Sequence, residues 1–598
     1  MKLGLALSGG GFRAAMFHVG VLAQMARLGL LRHVEVISTV SGGSTIGALY
    51  YLKVKLLVER KRDQDIEDVD YVKIVLEIER DFLRVIQRNL RTRTFLNPVI
   101  YLRRNNLFYI FSGEQRRVTF KRGGVFTRTD RLGELLDEHL YRPALGVGRP
   151  VRMRDLRVAL LGVSAEADAE TQNQSRSAKI PTVLINATVL NSGHNWRFES
   201  RTMGESERLA LALEDIDRNL RLCRPPSYEA MPARFCDLPL GRAVAASAAV
   251  PGLFPPVSIR GLYPEEIWVE LVDGGVHDNQ GIQGLIDLKC THFVVSDGSG
   301  QMEDDPDPPI HAGAVLNRTS SVLMDRLREE QLLRLIGREG SSVAFIHLKK
   351  GLPPRYVPWI GPDERAVDPP TRATRRADAS GVGIAREVQE LLAKVRTDLD
   401  SFTEVEAYSL MLEGYRISEA ELREGPGMRD LVRDSSLSAP PRWTFLRIEP
   451  WAIRPTPDYL RQLRAAQYRL FKVFSLSWPV TLVTFLVVGI PSLMLALAAA
   501  AQLVHEIQTG KAAAGEVFML FVMTVLVGIA AALSFFGLKT RRFTWLARLA
   551  ARPPAPGSGT MFIWPFAWLH LAVFDRLFLR QGQLSRLGPP RREGGGSS

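Results

Sequence analysis

The sequence predicts an α/β fold with a mainly parallel central sheet, followed by a C-terminal transmembrane helical hairpin. Three observations predict it. The chain opens on two apolar runs, each ending in a glycine-rich turn and each followed by a helical pattern. Apolar, often β-branched runs recur at 158–163, 183–190, 267–272, 292–296 and 343–348, with helical patterns between them, as a parallel sheet requires. Two stretches near the C-terminus, 474–504 and 517–538, hold no charged side chain, and about 20 helical residues suffice to cross a bilayer.

Taken in order, residues 3–8 read as a strand that runs into Gly9-Gly10-Gly11. A helix follows from Arg13 and is closed by Gly29. The next strand, 34–40, ends in Ser41-Gly42-Gly43-Ser44, and a second helix covers 45–60. A right-handed β-α-β crossover makes these strands parallel neighbours, so both turns sit at the carboxyl edge of one sheet, where open α/β folds place their sites. Between 63 and 148 the chain is helical and interleaves Arg with aromatics, as an insertion that covers the site, touches lipid or forms a solvated helical face on the core. Proline-rich polar stretches at 304–309 and 351–378 read as loops, and helical patterns return at 384–399 and 404–413. The expected units are a core of 1–300, an extension of 301–470, the hairpin within 471–545, and 546–598.

Arg469 and Lys472 precede the first apolar stretch, and Lys539, Arg541 and Arg542 follow the second. The link between them holds one lysine, Lys511, beside Glu506 and Glu516. The positive-inside rule then puts both chain ends in the cytoplasm. Pro491 and Gly489 fit this reading, since both are commoner in membrane helices than in soluble ones; the alternative is a buried helical pair in a soluble core. The stretch 561–579 is aromatic but broken by Pro565, His570, Asp575 and Arg576, which favours a helix lying at the interface over a third span. Residues 594–598 read as a flexible tail. Met1-Lys2-Leu3 leads straight into a strand, so no signal peptide is expected.

The 598 residues suggest roughly four domains as an upper bound. Lys and Arg number 77 against 64 Asp and Glu, a net charge of +13 that suits nucleic acid, an anionic membrane or a cytoplasmic membrane protein; no nucleic-acid motif supports the first. Three cysteines, none in a C-x-x-C spacing, exclude a disulfide scaffold and argue against a structural zinc site.

Gly9-Gly10-Gly11-Phe12-Arg13-Ala14 formally satisfies a dinucleotide fingerprint, G-x-G-x-x-A. That reading needs an acid at the end of the second strand to hold the ribose; Glu35 stands at its start and Ser41 at its end. A P-loop fails too, because no Gly-Lys-Ser/Thr follows. The competing reading makes Ser41 a nucleophile on a strand-to-helix turn. Gly42 and Gly43 let strand and helix approach, and the neighbouring glycine loop offers amides for an oxyanion. Ser38 and Ser44 are the nearby alternatives; Ser44 suits a helix N-cap better.

At these residues the chain resembles the patatin-like phospholipase family. The matching motifs are Gly9, Gly10, Gly11 and Arg13; Ser41 within Thr39-Val40-Ser41-Gly42-Gly43; and Asp273-Gly274-Gly275. Asn186-Ala187-Thr188 and the run from Ala246 to Pro256 support them, over roughly residues 3–300. Thr39 departs from the pattern, standing where the elbow has its first glycine. The resemblance implies a three-layer α/β/α fold and a Ser41–Asp273 dyad, with Asp273 taking the serine proton directly. It also implies an oxyanion hole at Gly9, Gly10 and Gly11, and a binding role for Arg13, toward a lipid phosphate or as a brace for the loop. No metal or organic cofactor is required. His277 could instead complete a triad, and His18 reads as a packed histidine. The expected protein is a membrane-anchored lipid acyl ester hydrolase of phospholipase or lysophospholipase type. Its partners are membrane lipids and the bilayer, and its catalytic domain lies on the cytoplasmic side. The alternatives are a non-catalytic membrane protein that kept the fold, or a dinucleotide-binding enzyme.

Overall fold

The computed structural model describes residues 1–95, 126–160, 169–206, 217–302, 304–354, 357–367, 383–432, 441–469, 472–477 and 570–590, apart from 265, 309 and 426. Outside these ranges only four isolated positions, 479, 482, 494 and 501, are described. The stretch 517–538, all of 474–504 except 474–477 and those four positions, the middle of the insertion and the glycine tail therefore lie outside the described residues. Among the described residues no helix is long and apolar enough to cross a membrane.

Strands β1 (Leu3–Leu7) and β2 (Val34–Val40) form where the apolar runs predict them, and helices α1 (Gly11–Arg27) and α2 (Gly42–Arg60) follow each. Nine strands make one sheet with the path β5-β4-β3-β2-β1-β8-β9. Here β3 is Thr182–Val189, β4 Asn195–Phe198, β5 Met203–Glu205, β8 His292–Asp297 and β9 Ser342–His347. Strands β6 (Val257–Ile259) and β7 (Val269–Asp273) leave that path, β7 pairing with both β3 and β6.

The parallel centre, β3-β2-β1-β8-β9, agrees with the expectation. The run at 267–272 does not extend it, because β7 pairs antiparallel with β3. Nor do residues 158–160 form a strand. The apolar pattern reports burial on a sheet and carries no sign of strand direction.

Period-two alternation along β1 separates the layers. Leu3, Leu5 and Leu7 enter the large core shared with α1, α2 and α3 (Asp68–Ile86), while Ala6 joins Val36, Leu184, Phe293 and Val295 in a smaller core on the opposite face. The second face is covered by α6 (Ile282–Asp287) and by a 25-residue helix, α7 (Ala312–Ile336), which the patterning does not single out. Residues beyond 300 add to the same sheet through β9, and α8 (Glu404–Glu424) packs along α1. Two glycines set that packing: a Cβ on Gly20 would lie 1.9 Å from the Met411 carbonyl, and one on Gly414 would lie 2.2 Å from that of Phe17.

Candidate active site

Strand β3 measures out the site. Its edge next to β2 pairs Val40 with Asn186, and further along that edge β7 arrives from the opposite direction, pairing Asp273 with Ala187. Two strands thus end head to head against consecutive residues, and Ser41 and Asp273 emerge together. The Asp273 carboxylate has the Ser41 hydroxyl as its side-chain hydrogen-bond partner. Its Oδ1 accepts the Gly275 N–H at 2.7 Å, and the Thr188 hydroxyl holds its carbonyl at 2.9 Å.

Ser41 has φ 52° and ψ −116°, a conformation L-residues adopt at a cost of about 1–3 kcal/mol and only when the surroundings enforce it. The enforcing contacts are visible. Its N–H donates to Ser247 Oγ at 2.9 Å, and the Gly43 N–H donates to the Ser8 carbonyl at 3.1 Å. Ser247 Oγ is also hydrogen-bonded to Ser44 Oγ at 2.8 Å, and Ser44 donates to Thr39 Oγ1 at 3.0 Å. Ser44 is therefore not the N-cap; it knits the turn to α5 (Leu240–Ser247). A Cβ on Gly42 would lie 2.1 Å from the Gly11 carbonyl, so serine turn and glycine loop touch through bare backbone.

Thr39 finds its space from the helix side. Its hydroxyl donates to the Leu184 carbonyl at 2.9 Å, and its methyl sits where Gly47 lacks a side chain, 2.4 Å from an ideal Cβ there. The departure from the elbow pattern is thus met by a glycine eight residues later.

The three glycine amides are not equivalent. Gly9 N–H is committed to the Asn279 carbonyl at 2.9 Å, which removes it from the predicted oxyanion set. The Gly10 and Gly11 amides have no partner among the described residues, and neither has that of Gly42 at the start of α2. Gly10 (φ 133°) and Gly11 (φ 59°) occupy backbone conformations that favour glycine. Two helix N-termini, of α1 and α2, converge on this spot and favour negative charge there. The sequence points to helix N-terminal amides beneath the Ser41 turn, and the structure identifies the Gly42 N–H among them as the unpaired one.

Arg13 is buried, not presented to solvent. Its Nε donates to the Gly298 carbonyl at 3.3 Å, Nη1 to Val395 at 2.7 Å, and Nη2 to Ser299. Of the two roles open to it, the arrangement is that of a brace, and the headgroup-binding expectation is corrected. His277 is no third member of a triad: its electrostatic neighbours are Asp278, Arg197, His194 and Asp287, not Ser41 or Asp273. His18 bridges Ser296 Oγ at 2.7 Å and the Ser8 carbonyl at 3.0 Å, and burial lowers its pKa to about 4, so it is a neutral packed histidine.

Burial, the largest influence, raises the Asp273 pKa to about 6, against the opposing hydrogen bonds from Gly275 and Ser41. Serine and carboxylate are each 6% exposed. A carboxylate of raised basicity, touching a hydroxyl on a strained elbow beside unpaired amides, can accept the hydroxyl proton as that oxygen attacks a carbonyl carbon.

Fold and turn define the class: an α/β protein with a serine elbow at the carboxyl edge of its parallel strands. Residues 5–286 match the family described as patatin-like phospholipase, and the chain carries a domain of that family. No curated protein matches the chain. Among solved structures, human GIVD cytosolic phospholipase A2 is 14% identical, with 72% of this chain and 63% of that one covered and a TM-score of 0.33. The same human enzyme in complex with methyl gamma-linolenyl fluorophosphonate and terbium chloride is 14% identical, with 72% and 59% covered and a TM-score of 0.29. VipD from Legionella pneumophila is 13% identical, with 98% and 92% covered and a TM-score of 0.26. The chain thus spans less than two thirds of the human phospholipase chains it matches.

Proposed function

We propose that the protein is a lipid acyl ester hydrolase of phospholipase or lysophospholipase type, held at a membrane by the apolar stretches 474–504 and 517–538, with its catalytic domain on the cytoplasmic side. The observation that carries the chemistry is the buried Asp273 carboxylate hydrogen-bonded to Ser41. Ser41 Oγ attacks the ester carbonyl while its proton passes to Asp273. The negative oxygen of the tetrahedral intermediate lies against the N–H groups of Gly10, Gly11 and Gly42. Collapse expels the alcohol, which takes the proton from Asp273 and leaves an acyl-Ser41 ester. Water, deprotonated by the same carboxylate, attacks that ester; the second intermediate expels Ser41 Oγ, which takes the proton back from Asp273 as the fatty acid is released. The steps need no cofactor and no nucleic acid. Membrane anchoring keeps the lipid ester at high local concentration, and the basic surface favours anionic headgroups.

The test is labelling with a fluorophosphonate, which traps an activated serine. Wild type and His277→Ala are expected to label; Ser41→Ala and Asp273→Ala are not. Unchanged labelling of Ser41→Ala would remove the nucleophile assignment, and lost labelling of a folded His277→Ala would replace the dyad by a triad.

A further inference from the structure

The glycine loop is not held by the family domain alone. Phe12 N–H, the first helix amide after the loop, donates to the Asp398 carbonyl at 3.0 Å. A Cβ on Gly11 would lie 2.8 Å from that same carbonyl, and Arg13 grips the Val395 carbonyl. Residues 395–398, more than a hundred positions beyond the matched domain, thus press on the Gly11 end of the loop, while Gly298 and Ser299 lie against Gly10.

That segment is itself pinned. Arg91 pairs with Asp398 and lies 3.7 Å from Asp400, and its backbone N–H donates to the Leu399 carbonyl at 2.9 Å. Arg396, wholly buried, bonds to Asp400, Glu406 and the carbonyls of Ser401 and Ala466. The remaining contacts come from both sides of the proposed membrane segment. Lys472 Nζ donates to Asp400 Oδ2 and to the Ser401 carbonyl, both at 2.7 Å. From the far side, Asp575 accepts from Ser401 Oγ at 2.6 Å and from Asn89 Nδ2 at 3.1 Å. Phe474 and Phe574 stack edge to face at 5.4 Å, so the two flanks close on each other as they close on residues 400–401.

We propose that residues 395–401 are a buttress that holds the Gly11 amide in its donor position, with Arg91 and Lys472 as positioning residues, so that the seating of the membrane segment's two flanks sets the rate of acyl transfer. This rests on the hydrolase reading above. An oxyanion donor must sit within a few tenths of an ångström of its place, and a displacement of about 1 Å can cost about a hundredfold in rate. Lys472 lies far along the chain from the loop but reaches it through three short links: Lys472 to Asp400, the 398–400 backbone, and Asp398 to Phe12.

The experiment uses the full chain in detergent micelles, with a water-soluble short-chain ester that needs no bilayer. Lys472→Met keeps the buried stem and removes the charge, leaving Asp400 its contacts with Arg396; Arg91→Met and Arg91→Lys are compared with it. Lys472→Met and Arg91→Met are expected to lower kcat about tenfold or more with KM little changed, and Arg91→Lys to recover much of the loss. Amide hydrogen exchange of the peptide spanning 9–14 is expected to quicken in both Met variants, while that of β3 stays as in wild type. Unaltered kcat together with unaltered exchange at 9–14 would overturn the buttress. Exchange is read whether or not the protein hydrolyses esters. An inert wild type whose loop exchange still responds to Lys472→Met would thus fail the hydrolase reading and keep the mechanical link; equal quickening in β3 would assign the residues to general stability and overturn the proposal.

Discussion

Asp273 sets catalysis against stability. Its folded pKa, about 6, lies above the ordinary carboxylate value, so the native state holds the proton more tightly than the unfolded chain does. The associated stability is complete below pH 4, declines between about 4 and 6, and is absent at neutral pH, an effect of about 2–3 kcal/mol. His18 runs the other way: with a folded pKa of about 4, below the unfolded value, its contribution is present above about pH 6.5 and is lost as pH falls toward 4. Asp273→Asn keeps the shape and the Gly275 contact without the charge. It is expected to abolish hydrolysis and to raise stability at pH 7.5 by up to that amount in denaturant titrations. Its stability should then fall more steeply than wild type between pH 6.5 and 4, the His18 loss being no longer offset. Wild-type kcat/KM should in turn show an acid limb centred near pH 6. The glycine loop and the Ser41 turn were legible in the sequence because strand-end chemistry follows from crossover topology, whereas Asp273, on the antiparallel β7, was reached only through the family resemblance. The fate of individual amides was not, since Gly9 loses its donor to Asn279, whose place depends on a turn no periodicity reports.

At the scale of elements, the same topology made β1, α1, β2 and α2 readable almost to the residue, for each carries its own period, and the first three end at glycine-bearing turns. Strand β7 was readable as a strand but not in direction, and α7 escaped because its apolar residues face solvent on several sides and draw no stripe. Tight helix contact makes a sharper prediction. Gly414→Ala drives a methyl toward the Phe17 carbonyl, where α8 meets α1, while an alanine at the uncrowded Gly146 or Gly193 would meet nothing nearby but a strained φ. Gly414→Ala is expected to cost about 1–3 kcal/mol by denaturant titration. Because α1 begins at the glycine loop, labelling by fluorophosphonate should slow as well; a destabilised protein that labels at the wild-type rate would show that α1 shifts without moving its N-terminus.

At the scale of the whole molecule, the proposed membrane anchor rests on the +13 charge and the two uncharged stretches, whereas the described structure shows what borders those stretches. The expectation of an interfacial helix at 561–579 changes accordingly: in its described part Asp575 and Phe578 are buried against the protein itself, beside Val473 and Phe474. Cutting the chain at 470 would therefore strip Lys472 and Asp575 from residues 400–401. Replacing 478–569 by a short Gly/Ser linker, which the Phe474–Phe574 contact makes possible, would leave them in place. The linker variant is expected to fold, label and be released from membranes by salt, while the full chain resists salt and alkaline extraction. A full chain that washes off as readily as the linker variant would remove the anchor, and a truncation at 470 as stable as the linker variant would show that the flanks bear no weight.

The meeting of β2 and β7 along one side of β3 has a last consequence. Nucleophile and base are spaced by a single peptide of a third strand, Asn186 to Ala187, and not by the long chain that joins them. Loops and helices between α2 and β7, apart from α5 whose Ser247 holds the Ser41 turn, can lengthen, shrink or be exchanged without altering that spacing, provided β3 keeps its register. Such a layout leaves the intervening chain free to diversify the walls around the ester while the reacting pair stays where it is, as on a ruler with two adjacent marks.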